Sequence, residues 1–291
     1  MKTVIFYFEY LFFRFVIFIV NLFPFPTVLK WADSLGPLIQ KIAKRKNDIA
    51  LENLREAYRG EKSEAEIQQI ARKSFINLAK LAFEFVRIPE IAANPEKYIR
   101  FVDQNYIWKA LDQKRGAILL ISHFGNWELM AVRSAWEGLP MNAVARPLKN
   151  PFVYDYVKKL RGYTGLHTIA KQGAAREMLK TLNKNECVAI LIDQRESQTG
   201  IPVNFFGRPA LTTALPAMLA LKKDIPVIPC FHYRNPEGKT TLICYEPFRL
   251  VRTGNEEEDI RANTQMFASK IENEVRKDPA NWLWMHRRWR L

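Results

Sequence analysis

A histidine and a glutamate follow a short, strongly apolar segment of the chain. The segment AILLIS occupies 117–122, His123 comes directly after it, and Glu128 lies five residues further on. A neutral imidazole accepts a proton from a substrate hydroxyl, and a carboxylate on its other ring nitrogen holds the ring in orientation. The spacing therefore predicts general acid–base catalysis by His123, oriented by Glu128, with a purely structural histidine as the alternative.

Gly125 and Asn126 indicate how these two side chains are positioned. A buried strand is expected to end near Ser122, and Gly125 permits a tight turn after it. Asn126 is a good helix N-cap, so a helix is predicted over 127–137. The two candidate side chains then lie on either side of a strand-to-helix elbow.

Short apolar segments recur along the chain and alternate with sequence compatible with helices. This pattern predicts an α/β fold with a mostly parallel central sheet flanked by helices, and the spacing of 36–58 and 63–87 predicts a helical lead-in. Ligands of such sheets collect at the carboxyl ends of the strands. The predicted strands are 117–122, 141–145, 166–170, 188–193, 225–231 and 241–246.

Polar residues stand at the end of one of these strands. Asp193, Gln194 and Arg195 follow the apolar run VAILI. Because the carboxyl ends of parallel strands share one edge of the sheet, these residues are expected at the same cleft as His123. Asp193 is predicted either to position His123 or to pair with an arginine.

Two arginines and two phenylalanines complete the candidate site. Arg146 follows the strand over 141–145, and Arg208 lies in the segment FFGRPA. Guanidinium groups bind phosphate through paired hydrogen bonds, so both are predicted to hold an anionic substrate group, with surface ion pairs as the alternative. Phe205 and Phe206 are predicted to line an apolar substrate groove, unless they belong to the core.

The balance of charge restricts the partners. The 291 residues include 44 Lys and Arg against 30 Asp and Glu, a net charge of +14. Such a protein favours nucleic acid, anionic lipid or an acidic carrier protein. Between 141 and 171 six basic residues stand against one acid, a net of +5, and this surface is predicted to steer an acidic carrier or an anionic headgroup.

The cysteines predict neither a metal site nor a disulfide framework. Cys187, Cys230 and Cys244 stand beside apolar runs, and none belongs to a C-x-x-C pair, which fits a reducing, cytoplasmic environment. The motifs H-E-x-x-H, G-x-x-x-x-G-K-[ST], G-x-G-x-x-G and G-x-S-x-G do not occur in the sequence. Their absence argues against a metalloprotease, a P-loop ATPase, a dinucleotide oxidoreductase and a serine nucleophile.

The N-terminal segment predicts a membrane anchor. Of the 20 residues from 4 to 23, all but Glu9, Arg14 and Asn21 are apolar, and this length is sufficient to cross a bilayer as a helix. The Val, Ile, Leu and Phe residues favour insertion by roughly 5 to 9 kcal/mol together, against about 3 kcal/mol for Arg14. A spanning helix is therefore expected, with an in-plane amphipathic anchor or a buried helix as alternatives.

Basic residues indicate which parts of the chain face the membrane surface. Five basic residues follow the apolar segment between 30 and 46 and only Lys2 precedes it, so the positive-inside rule predicts that the body lies in the cytoplasm. At the C-terminus, interleaved aromatic and basic residues predict a membrane-interface surface or a platform for single-stranded nucleic acid. These residues are Trp282, Trp284, Trp289, Arg287, Arg288 and Arg290.

The chain resembles the lysophospholipid acyltransferase superfamily, and within it the bacterial lipid A late acyltransferases. The resemblance extends over nearly the whole chain and implies a glycerol-phosphate-acyltransferase-like fold, with an anchor over 1–25 and an acyltransferase domain over 26–291. It rests on motifs in the same order: SHFGNWEL at 122–129, ARPLKNP at 145–151, DQR at 193–195, FFGRPA at 205–210, IPVIP at 225–229 and the ending WMHRRWR.

The resemblance also implies a reaction and its place. His123, oriented by Glu128, is expected to activate a hydroxyl of a lipid A precursor, an anionic glycolipid, for attack on an acyl thioester of acyl carrier protein or coenzyme A. No cofactor and no metal is expected. The implied location is the bacterial inner membrane, with the catalytic domain facing the cytoplasm. The residues expected to bind substrate are Asn126, Arg146, Asp193, Gln194, Arg195, Phe205, Phe206 and Arg208.

Other functions remain open on the sequence alone. Acyltransferases of mannolipids and other glycolipids are similar to the same family, so the acceptor is not fixed. A membrane-anchored nucleic-acid-binding protein would fit the charge, but no recognised binding motif is present and no nucleic-acid partner is expected. A lipid hydrolase would use water at the same histidine.

Overall fold

Continuous apolar segments form the strands at the centre of the molecule. The computed structural model describes residues 2–145, 147–170, 173–235 and 239–290. Its strands are β1 (Ile99–Val102), β2 (Ala117–Ile121), β3 (Met141–Ala145), β4 (His167–Ala170), β5 (Cys187–Leu191), β6 (Gly200–Phe205), β7 (Arg208–Thr213), β8 (Val227–Arg234) and β9 (Thr240–Cys244).

One mixed sheet contains most of these strands. The order in the sheet is β1-β9-β8-β2-β5-β3-β4, and β6 and β7 form a separate antiparallel hairpin. Among the described strands of the large sheet, only β8 and β9 pair antiparallel. β2 and β5 are parallel neighbours, with Ile121 opposite Leu191, so the residues that follow them emerge side by side.

Helices cover both faces of the sheet, because the side chains of a strand alternate between its faces. Ile118 and Leu120 face one apolar core, and Ala117, Leu119 and Ile121 face the other. The helices are α1 (Lys2–Asn21), α2 (Phe25–Ile42), α3 (Lys44–Ala57), α4 (Glu64–Val86), α5 (Ile88–Ala93), α6 (Pro95–Tyr98), α7 (Asn105–Asp112), α8 (Glu128–Trp136), α9 (Pro151–Gly162), α10 (Ala174–Asn183), α11 (Leu215–Lys223) and α12 (Glu256–Lys277), with a 3-10 turn at Pro279–Asn281.

The helical lead-in packs around α4. This helix begins with a capping box, in which Ser63 and Glu66 satisfy each other's backbone amides. α2 crosses it where Gly36 meets Ile76, and a Cβ on Gly36 would lie 2.6 Å from the Ile76 Cα. Glycine therefore permits the two helix backbones to approach, and α4 presents its other side to the end of β2.

The predicted fold class is confirmed: the protein is α/β with a mostly parallel central sheet flanked by helices and an apolar N-terminal helix. Each predicted strand corresponds to an observed one within a few residues, and the helix predicted over 127–137 is α8. The short strand β1 and the β6–β7 hairpin were not predicted.

The prediction of a membrane-interface surface at the C-terminus was wrong. Trp284, Trp289 and Arg288 are buried, and the tryptophans pack with Phe205 and Phe206 in one aromatic cluster. Phe205 and Phe206 thus belong to the core, which was the alternative to a substrate groove. The C-terminal segment fills the space between the hairpin, α3 and the sheet, where burial of large rings outweighs any preference for an interface.

Candidate active site

His123 and Asp193 meet at the carboxyl edge of the sheet. His123 follows β2 and Asp193 follows β5, the parallel neighbour of β2. The His123 Nδ1 lies 2.8 Å from Asp193 Oδ1, and the backbone amide of His123 donates to Asp193 Oδ2 at 2.7 Å. The carboxylate therefore fixes both the ring and the backbone of His123.

The C-terminal segment completes the environment of this carboxylate. The indole Nε1 of Trp282 donates to Asp193 Oδ2 at 2.8 Å, and the amide of Leu283 donates to the His123 carbonyl. Burial alone would raise the pKa of Asp193, but the charge and hydrogen bonds of His123, together with the Trp282 indole, outweigh it and lower that pKa. Asp193 is thus held ionised within the fold.

Gln194 occupies the other side of the imidazole. Its amide Nε2 lies 3.1 Å from His123 Nε2. If His123 Nδ1 donates its proton to Asp193, then Nε2 carries the lone pair and accepts from the Gln194 amide. This tautomer presents a basic nitrogen on the side of the ring away from Asp193.

Glu128 has a different partner from the one predicted. Both of its carboxylate oxygens accept from Arg161 of α9, at 3.0 Å from Nε and 2.6 Å from Nη2. Both ring nitrogens of His123 are already occupied by Asp193 and Gln194, so Glu128 does not orient the imidazole in this structure. The ion pair instead ties the first turn of α8 to α9.

Asn126 is placed in the wall of the site rather than in its opening. It is buried, its amide donates to Glu84 at 2.7 Å, and its Oδ1 accepts from the Glu128 amide at the start of α8. Arg234 forms a two-pronged ion pair with the same Glu84. This placement differs from the expectation that Asn126 binds substrate. Asn126 bonds the first turn of α8, but the N-cap position is occupied by Trp127 and not by Asn126 as the sequence predicted.

A narrow cleft opens beside the imidazole. Its apolar walls come from Leu78 and Leu81 of α4 and from Leu283, and Trp127 packs edge-on against the His123 ring with centroids 4.7 Å apart. The His123 side chain is 18% exposed, whereas that of Asp193 is 1% exposed. The imidazole is therefore partly accessible beside apolar side chains, and its partner acid is shielded from water.

A family model described as bacterial lipid A biosynthesis acyltransferase matches residues 2–291. The chain belongs to this family. Its members transfer acyl groups, and an imidazole with a shielded acid beside an apolar cleft is chemically suited to activate a hydroxyl for such a transfer.

Curated relatives agree with this assignment. The chain is 25% identical over 284 residues to the lipid A biosynthesis lauroyltransferase of Escherichia coli, covering 94% of this chain and 89% of that protein. It is 26% identical over 278 residues to the lipid A biosynthesis acyltransferase of Haemophilus influenzae, covering 93% and 84%. It is also 24% identical over 225 residues to the phosphatidylinositol mannoside acyltransferase of Mycolicibacterium smegmatis, covering 76% and 72%.

Three arginines of this acyltransferase family member were also predicted to bind substrate, and the structure describes two of them. Arg195 follows Gln194, and its Nε is buried with no hydrogen-bond partner among the described residues. Arg208 lies 4.0 Å from Glu56, and this is the surface ion pair that was considered as the alternative to phosphate binding. Its guanidinium also lies over the ring of Trp289. Arg146 lies outside the described residues.

Sequence reasoning missed four residues that hold the site together. Trp282 was assigned to a surface, and Glu84 and the Glu128 partner Arg161 were not considered as site residues. Arg288 is a further case, since its guanidinium donates to the carbonyls of Gln194 and Leu211 and burial lowers its pKa to about 10. These residues are distant in sequence from His123, so their proximity to it could not be predicted. The one signal for Glu84 was a charged residue on an otherwise apolar part of the helix α4.

Proposed function

We propose that the protein transfers a fatty acyl chain from a thioester donor to a hydroxyl of a lipid A precursor, with His123 as general base and Asp193 as its positioning acid. The observation that carries the proposal is the contact of His123 Nδ1 with a buried carboxylate beside an apolar cleft. Membership of the lipid A acyltransferase family supports the substrate class.

The proposed reaction is a direct transfer. The acceptor hydroxyl takes the place of the Gln194 amide at His123 Nε2, which removes its proton as the oxygen attacks the thioester carbonyl carbon. The tetrahedral intermediate collapses, the C–S bond breaks, and the imidazolium returns the proton to the leaving thiolate. Asp193 stabilises the imidazolium between these two proton transfers.

The donor needs no resident cofactor in this scheme. We assign it as acyl carrier protein or coenzyme A, and favour the carrier protein because it is acidic and this chain has a net charge of +14. The same charge favours an anionic membrane surface, and we place the protein at the bacterial inner membrane with the catalytic domain facing the cytoplasm.

Arg195 is the arginine we assign to an acceptor phosphate. It comes directly after Gln194, and no ion pair or Nε hydrogen bond to a described residue occupies it. Arg208 is already paired with Glu56. A charge-assisted hydrogen bond to phosphate contributes about 1.5 to 3 kcal/mol, so Arg195→Ala is expected to lower transfer to a phosphorylated acceptor by about 10- to 100-fold.

The test uses purified protein with phosphorylated and dephosphorylated lipid A precursors and with carrier-bound and coenzyme A-bound acyl donors. Arg195→Ala is expected to lose activity chiefly on the phosphorylated acceptor, and Arg208→Ala serves as the matched control. Mass spectrometry of lipids from cells lacking the protein should show an acceptor that has one acyl chain fewer. Equal loss on both acceptors would reject the role of Arg195, and unchanged cellular lipid A would reject the acceptor class.

A mannosylated phospholipid is the second candidate acceptor. It is supported by the similarity to a phosphatidylinositol mannoside acyltransferase, which covers a smaller part of this chain than the lipid A relatives do. Adding this acceptor to the same assay distinguishes the two, because the same histidine would activate a mannose hydroxyl instead.

A further inference from the structure

One side of α1 packs against the protein, and the opposite side is exposed. At about 3.6 residues per turn, one stripe that is buried or half-buried against the protein consists of Phe6, Tyr10, Phe13, Ile17 and Val20. Glu9 and Arg14 flank this stripe. The opposite side is exposed and wholly apolar, with Val4, Phe8, Leu11, Phe12 and Phe15 at its centre.

The first half of α1 is bonded to the start of α9. The side-chain amide of Asn150, which caps α9, donates to the Phe6 carbonyl at 2.8 Å and to Glu9 Oε2 at 3.0 Å. Further along, the Arg14 guanidinium lies 4.9 Å from the centroid of the Tyr156 ring. Glu9 and Arg14 are therefore both in contact with α9, and Arg14 also donates to the Tyr10 hydroxyl within α1.

Aromatic contacts show that α1 and α9 lie side by side and run in the same direction. The Phe152 ring lies 5.5 Å from that of Tyr7, and the Tyr156 ring lies 5.7 Å from that of Phe13. The far end of α1 is also held, because Arg87 donates to the Phe23 carbonyl just beyond the helix. The helix thus lies along the domain over most of its length.

Exposed charges on α9 restrict how this pair of helices can meet a bilayer. Asp155, Lys158 and Lys159 are exposed and lie level with residues 13–17 of α1. A perpendicular, spanning α1 would place Asp155 within a few ångströms of the bilayer centre, since a helix rises about 1.5 Å per residue. Charged side chains are strongly disfavoured at that depth, and the domain beside α9 would have to enter the hydrocarbon with them.

We infer that α1 lies in the plane of the membrane surface and does not cross the bilayer. Its exposed apolar side enters the lipid, and α9 and the domain cover its other side from the aqueous side. This inference rests on the membrane association proposed above. It also brings α9, whose Arg161 holds Glu128 beside the site, to the surface from which a lipid acceptor would reach His123.

The experiment measures the depth of single spin labels by power-saturation electron paramagnetic resonance. Val4→Cys, Phe8→Cys, Phe12→Cys and Phe15→Cys place labels on the apolar side of α1, in the full chain bound to phosphatidylethanolamine–phosphatidylglycerol vesicles. The wild-type chain is the labelling control, because its cysteines are buried. An in-plane helix predicts one shallow depth for all four labels.

Lys159→Cys provides the matched aqueous position. Its label is expected in water, whereas a spanning α1 would carry it into the hydrocarbon. A depth profile that peaks at Phe12 and differs by about 12 Å between Val4 and Phe12 would overturn the inference. Failure to bind vesicles would overturn it together with the membrane association, and transfer activity measured in detergent reports separately on the proposed reaction.

Discussion

Two consecutive residues that follow β5 contact the two ring nitrogens of His123. Asp193 contacts Nδ1 and Gln194 contacts Nε2. The contact with Asp193 is the more firmly held of the two, because Asp193 also accepts hydrogen bonds from the Trp282 indole and the His123 amide. Gln194 contacts the ring through a single amide, which a hydroxyl can replace. The ring is therefore fixed on its acid side and open to exchange on its basic side.

The Glu128–Arg161 pair gives a prediction at this scale. Because Glu128 bonds Arg161 and not the imidazole, Glu128→Ala and Arg161→Ala are each expected to lower kcat through displacement of α8, by about 10- to 100-fold. The double variant should be little worse than either single variant, since both remove one interaction. Steady-state kinetics of the four proteins measure this coupling, and additive losses would show that Glu128 acts independently of Arg161.

The identity of the site residues was more predictable than their pairing. His123, Asp193 and Gln194 follow buried strands, and the rule that sites form at the carboxyl ends of strands selects them from sequence alone. Their contact depends on β2 and β5 being neighbours, and strand order is set by packing between segments distant in sequence. Glu128 was assigned to His123 because it is near in sequence, but the adjacent strand supplies the acid.

At the scale of elements, the elbow between β2 and α8 depends on a glycine. Gly125 has φ of +64°, and a Cβ on it would lie 2.2 Å from the backbone oxygen of His232 in β8. The Gly125 amide also donates to the Asn281 carbonyl at 2.9 Å. The histidine loop is thus pressed between β8 and the C-terminal segment.

Gly125→Ala is therefore expected to displace the histidine loop and to abolish most transfer activity. Gly138→Ala is the matched control, because Gly138 has φ of +75° but a Cβ there meets nothing within 4 Å. The Gly138→Ala variant should retain activity. Its free energy of unfolding should be lower by about 1 kcal/mol, which is the cost of the backbone conformation. Unfolding and transfer assays on both variants check this, and equal activity losses would contradict a steric role for Gly125.

Elements with a continuous apolar run or a clear helical spacing were predictable from the sequence, and short or interrupted elements were not. The apolar strands β2, β5 and β8 and the helix α4 carry clear patterns of burial along the sequence. β1 has only four residues, and a proline interrupts each strand of the β6–β7 hairpin, which makes these short strands difficult to identify from sequence. These elements form because neighbouring segments pair with them.

At the scale of the whole molecule, the buried His232 and the half-buried His286 couple stability to pH. Burial lowers the pKa of His232 to about 3 and that of His286 to about 4. Between those values and about 6.5, the unfolded chain binds protons that the folded chain does not, so stability falls as pH falls. His232, which is fully shielded, is expected to contribute about 3 kcal/mol to this loss between pH 7 and pH 4.

His232→Phe should therefore flatten the dependence of the unfolding free energy on pH, most clearly between pH 6.5 and pH 4. Denaturant unfolding at several pH values measures the slope. His167→Phe is the control, because His167 is exposed on β4. An identical slope for His232→Phe and the wild type would show that His232 is not buried in its neutral form.

The whole-molecule prediction of a C-terminal membrane surface failed for a physical reason. Trp occurs both at interfaces and in cores, and Arg is buried only where its guanidinium finds partners, which composition does not reveal. Arg288 illustrates this, since its charge is buried against carbonyl groups and a threonine hydroxyl. The N-terminal helix, by contrast, was correctly recognised as apolar, but its docking on α9 was visible only in three dimensions.

The most direct test of the account is the rate of acyl transfer by Asp193→Asn. The change preserves the size of the side chain but lets it donate to His123 Nδ1, which favours the tautomer that cannot act as a base at Nε2. By analogy with Ser-His-Asp triads, kcat is expected to fall by about 10³- to 10⁴-fold while the protein stays folded. Asp224→Asn, at an exposed surface ion pair, should keep the wild-type rate. A folded Asp193→Asn protein with wild-type turnover would contradict the central claim that His123, held by Asp193, is the general base.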